Sequence, residues 1–221
     1  MILEILHIVI LFILPVLLVY FKVIPFKYRK HTLVIVSILA ILLILFEKWT
    51  LTKLGIRIDN ITTTILPYTI FTILGVILLF TISKILKRKK QTDFFKKKHF
   101  IYGFLLVSIL QELLFRGFLF PQLQEIFKDT YLVVLINAIL FTLIHSIYSN
   151  TIITLAVIFV GGIFFAGMYS IYPNLILISI SHAILNYIAV LYNFYYEEKT
   201  SIKIISYWER VTGYYRRIRK K

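Results

Sequence analysis

Hydrophobic residues in this chain gather in long runs rather than at alternating or helical spacing. The runs cover about 2–21, 32–46, 61–83, 100–120, 131–148, 151–170 and 175–195, and short polar or charged links separate them. A stretch of about 20 mainly apolar residues is what a helix needs to cross a bilayer. Seven of them predict an all-α polytopic transmembrane bundle. Pro15 lies inside the first run and is expected to kink it, Pro67 stands near the start of the third, and Pro121 is expected to end the fourth. Residues 47–60 mix charges around Gly55 and read as a loop or interfacial segment. Ser149-Asn150 and Tyr172-Pro173-Asn174 read as the turns flanking the sixth run.

Composition agrees with that pattern. Apolar residues make up 60% of the 221, charged residues only 16%, and mean hydropathy is +0.89. A soluble domain carries a larger charged share. The expectation is one membrane domain over 1–221: N-terminal helices and a basic loop (1–99), a core (100–195) and a basic cytoplasmic tail (196–221). No Lys or Arg precedes the first run and no small-residue cleavage site follows it, so it reads as a span rather than a secretory signal.

The net charge of +15 takes its meaning from this setting. With seven spans and the N-terminus outside, the inner links and tail hold 20 Lys and Arg and the outer links hold 4. That bias predicts N-out, C-in. The basic loop 84–98, with Phe94 and Phe95 between its lysines, and the aromatic basic tail are expected to meet anionic lipid rather than nucleic acid. Cysteine is absent, which removes disulfides and thiolate chemistry. The wealth of Ile, Lys, Asn and Tyr hints at an AT-rich bacterial genome and hence a bacterial plasma membrane.

Candidate chemistry sits where polar groups interrupt the hydrocarbon. The stretch Gln111-Glu112-Leu113-Leu114-Phe115-Arg116-Gly117 places a carboxylate and a guanidinium inside the fourth run. Each costs roughly 2.5–3.5 kcal/mol on insertion scales. Four residues apart, Glu112 and Arg116 share a helix face and can pair. Phe141 and His145 share a face of the fifth run, and His182 and Asn186 a face of the seventh. Glu112, His145 and His182 also make up a two-His, one-carboxylate set of the kind catalytic zinc uses. No His-Glu-x-x-His occurs, and a metal-free site is the preferred expectation, with a divalent metal such as zinc as the alternative. On the run limits given, His145 lies roughly 10 Å nearer the cytoplasmic side than Glu112 and His182.

Gln-Glu-x-x-x-Arg, Phe-x-x-x-His and His-x-x-x-Asn, in this order on three apolar segments over about 100–195, resemble the CPBP family of intramembrane proteases. These are the type II CAAX prenyl proteases and bacteriocin-processing enzymes. The resemblance implies peptide-bond hydrolysis of a membrane-bound peptide or protein. In the family a glutamate and the first histidine activate water, the second histidine and the asparagine stabilise the oxyanion, and the arginine orients the acidic pair. Carried over, the catalytic set is Glu112, His145, His182, Asn186 and Arg116, with Gln111 and Phe141 in support. The departure is Gln111, which stands where the family places its first glutamate. An amide accepts hydrogen bonds but not a proton at physiological pH. The alternative expectation is therefore an inactive relative, a membrane scaffold or immunity protein that binds a peptide or partner. A proton-coupled transporter is a weaker third reading, because no inverted repeat is visible.

Overall fold

The computed structural model describes residues 2–90, 98–147, 152–192 and 194, with the backbone alone for 98–104. The Ser149-Asn150 turn, Phe94 and Phe95 and the tail 196–221 lie outside the described residues. Within them the chain is helical and has no strand. The helical rods are α1 (Ile2–Tyr20), α2 (Arg29–Phe46), α3 (Ile61–Ile85), α4 (Lys98–Glu112, continuing to Ile126), α5 (Thr130–His145), α6 (Ile152–Ile171) and α7 (Leu175–Leu191). Among the described residues five helices are long and apolar enough to cross a membrane: Ile2–Tyr20, Phe26–Phe46, Ile61–Ile85, Leu105–Ile126 and Ile152–Ile171. The apolar helices α5 and α7 are shorter. This is the polytopic helical bundle that the runs predicted, and the protein is an integral membrane protein.

Two helices change pitch in the middle. Val9–Ile13 of α1 and Leu113–Leu119 of α4 are π-helical. A proline follows each by two residues, Pro15 and Pro121. In an α-helix a proline ring collides with the carbonyl four residues back. Here those carbonyls belong to Leu11 and Gly117, which lie in the wider π turns. The expectation that Pro121 ends the fourth span is therefore corrected: α4 runs on through Phe120–Ile126, and Gln122 is buried in it rather than sitting in a polar link. The expected kink at Pro15 takes the form of the π turn before it.

Packing divides the bundle. α5 and α6 lie along one another, and α7 lies against both α3 and α4. The fully buried apolar side chains Phe12, Leu114, Phe115, Phe118, Leu119 and Leu123 gather around the π segment of α4. Outward faces stay apolar, as in Ile65, Leu66, Ile73 and Leu74 of α3, which suits contact with lipid chains.

Three links meet at one end. The Leu175 N–H donates to the Gly55 carbonyl at 2.7 Å. Asn174 donates to the Arg57 carbonyl at 2.9 Å and to Asn60 at 2.8 Å, and Asn60 donates to the Pro173 carbonyl at 3.1 Å. Lys53 pairs with Glu125 at 2.6 Å. A chain crossing seven times puts the second, fourth and sixth links on the same side, and these bonds join those three. Residues 47–60, read from sequence as a loop or interfacial segment, are a hydrogen-bonded cap on the bundle.

Candidate active site

Each chemical group stands on a buried stretch of helix. Ser108, Gln111 and Glu112 lie in the α-helical part of α4, and Arg116 follows in its π turn. His145 is the last residue of α5, and His182 and Asn186 are one turn apart on α7. Glu112 and Arg116 are fully buried, and Gln111, His145, His182 and Asn186 are nearly so.

One oxygen of Glu112 gathers the charges. Arg116 Nη1 donates to Glu112 Oε1 at 3.1 Å, and His182 Nδ1 donates to the same oxygen. The helical pairing expected from spacing is present, and α7 adds a partner that spacing within one helix does not reveal. Glu112 Oε2 and Gln111 Oε1 have no hydrogen-bond partner among the described residues. Arg116 is further held by aromatic faces, with its guanidinium carbon 4.9 Å from the Phe141 ring centre and 5.5 Å from that of Phe165. Its Nη2 donates to the Gly162 carbonyl at 3.5 Å. Guanidinium planes stack on rings in this way and lose little hydration in doing so.

Phe141 links the two histidines. Its ring centre is 4.4 Å from that of His145 and 5.7 Å from that of His182. The separation in depth expected for His145 is thus spanned by one shared aromatic ring. His145 Nδ1 donates to the Phe141 carbonyl at 2.8 Å. A carbonyl only accepts, so the neutral ring carries its proton on Nδ1.

Asn186 Nδ2 donates to Ser108 Oγ at 3.0 Å. This makes a second rung beside Glu112–His182: residues 108 and 112 of α4 meet residues 186 and 182 of α7, one turn apart on antiparallel helices. Sequence reasoning passed over Ser108, although its spacing of four before Glu112 puts it on the motif face. Phe165, whose ring centre is 5.1 Å from that of His182, was also missed, since one Phe in an apolar run carries no signal. Asn137 on α5 donates to the Phe115 carbonyl in the π turn of α4 at 2.8 Å.

The metal alternative has a geometric test. Among the described residues no three His, Cys, Asp or Glu side chains are grouped so as to hold an ion. Glu112 Oε1 and His182 Nδ1 are taken up by each other, and His145 Nδ1 by the Phe141 carbonyl.

Neither the curated proteins nor the solved structures compared with the chain match it. Residues 96–188 are similar to the family model described as type II CAAX prenyl endopeptidase Rce1-like, a stretch that contains all three motifs.

Proposed function

We propose that the protein is an intramembrane endopeptidase that hydrolyses peptide bonds of membrane-associated proteins or peptides with a water activated by its Glu/His group. The observation that carries this reading is the buried carboxylate of Glu112 joined to Arg116 and His182, with Asn186 one turn beyond. Buried ionisable groups that meet across membrane helices mark function by default. Hydrolysis needs a base for water and a donor for the oxyanion. The imidazoles and Glu112 supply the first and the Asn186 amide the second, while Arg116 holds the carboxylate. The plasma membrane of a bacterium is the proposed location, with anionic lipid against the basic faces.

A second reading keeps the fold and drops the chemistry. In it Gln111 marks a scaffold or immunity protein that binds a peptide without cutting it. Purified protein in detergent, given a panel of fluorogenic peptides beside His145→Ala and Gln111→Glu, separates the two. Cleavage by the wild type, lost in His145→Ala, is the expected result. Silence of the wild type with cleavage gained by Gln111→Glu favours the scaffold.

A further inference from the structure

The stretch similar to the family model begins at residue 96, and the cap formed by 47–60 lies outside it. We propose that Trp49 of this cap is a positioning residue that fixes Arg116 through Phe118. Its role in catalysis rests on the protease reading, to which it adds a part played by the N-terminal third of the chain.

Arg116 stands in the middle of the π turn Leu113–Leu119 of α4. Its guanidinium donates to Glu112 on its own helix and to the Gly162 carbonyl on α6, so its direction must suit two helices at once. The pitch of the turn sets that direction. A π turn is uncommon in itself and occurs often at functional sites, so its neighbours must favour it over the α pitch.

The turn is held on both sides of Arg116. Before it, Asn137 of α5 bonds the Phe115 carbonyl at 2.8 Å. After it comes Phe118, which is fully buried and lies nearly parallel to two other rings. Its ring centre is 5.3 Å from that of Trp49, at 15°, and 6.5 Å from that of Phe12 in the π turn of α1, at 16°.

Trp49 is fixed in turn by the cap. Its Nε1–H donates to Glu47 at 2.7 Å. Lys53 Nζ lies 3.9 Å from its ring centre while pairing with Glu125 at 2.6 Å. An indole holds a cation better than the other aromatic rings do, and stacked rings prefer a defined tilt. The cap backbone reaches the same turn: a Cβ on Gly117 would lie 3.7 Å from the Leu54 carbonyl oxygen. A continuous path therefore runs from Glu47 and Lys53 through Trp49 and Phe118 to the turn that carries Arg116. Arg116 holds the carboxylate that the reaction uses, so loosening this path should slow turnover and leave substrate binding alone.

The kinetic test uses purified full-length protein and the cleaved fluorogenic peptide. Trp49→Leu is expected to lose on the order of tenfold to a hundredfold in kcat with KM unchanged. Trp49→Phe keeps a ring for Phe118 and Lys53 and should recover most of the turnover. Val19→Ala truncates a buried side chain at the opposite end of α1; it should lower thermal stability and leave kcat unchanged. In an Arg116→Lys protein, Trp49→Leu should cost little more, because both changes act on one group. Fully additive losses, or a raised KM with kcat unchanged, would overturn the proposal. A second arm needs no turnover. The chain has two tryptophans, Trp49 and Trp208, so in a Trp208→Phe protein the emission comes from Trp49 alone. Arg116→Lys should then change its wavelength and its quenching by acrylamide. Identical emission with Arg and Lys at 116 would break the path and overturn the proposal. A wild type that cuts none of the peptides sinks the protease reading alone, and the Trp49 emission still decides whether Trp49 fixes Arg116.

Discussion

A hydroxyl in an apolar helix usually returns its bond to the carbonyl one turn back, which is why Ser108 gave no sign in the sequence. Its value came from α7, where Asn186 reaches it at 3.0 Å. Glu112 and Arg116 were legible because their cost in hydrocarbon demands a partner and the spacing supplies one. The partner across the bundle, His182, was named but its bond was not, since nothing local says which helices touch. Ser108 carries a prediction of its own. If Asn186 faces the oxyanion, the hydroxyl that fixes its amide matters to the transition state more than to the substrate. Ser108→Ala should lower kcat about tenfold with KM unchanged, the loss of roughly one hydrogen bond. Ser108→Thr, which keeps the hydroxyl, should recover most of it. Steady-state kinetics on the cleaved peptide decide it, and an unchanged kcat in Ser108→Ala rules the role out.

Helices as units were read well in number and less well in pitch. Run lengths expose a span, but nothing in residue type distinguishes a π turn from an α turn, so the continuation of α4 past Pro121 could not be read. The glycines of α6 show the same division. Small residues let neighbouring helices approach closely, but residue type does not say which of them packs. A Cβ on Gly162 would come within 3.3 Å of the Ala138 backbone on α5, whereas one on Gly161 meets nothing within 4 Å. The Gly162 carbonyl also accepts from Arg116. Gly162→Ala should force α5 and α6 apart and destabilise the bundle by about 1–3 kcal/mol. Gly161→Ala should leave stability unchanged within about 0.5 kcal/mol. Thermal unfolding of the two proteins in one detergent checks this, and equal midpoints would contradict the packing.

For the molecule as a whole, charge counting gives an orientation and the structure gives the pairing of sides. The cap formed by 47–60 with the links after α4 and α6 was not legible, because its bonds run mostly through backbone carbonyls and amides that no periodicity marks. It does fix which links share a side: Gly55 to Leu175, Asn60 to Pro173 and Lys53 to Glu125. Whether that side faces outward rests on the excess of Lys and Arg at the other end, such as Lys22, Lys27, Lys84 and Lys87. The chain has no cysteine, so single cysteines can be introduced without removing any. Ile58 in the cap is 78% exposed, and Lys87 follows α3 at the opposite end. A membrane-impermeant thiol reagent added to intact cells should label Ile58→Cys and spare Lys87→Cys until the membrane is opened. The reverse pattern would invert the protein in the bilayer, and it would place the basic end, against charge bias, on the outer face. Labelling of both from outside would break the seven-crossing topology itself, because the two positions are separated by one passage of α3.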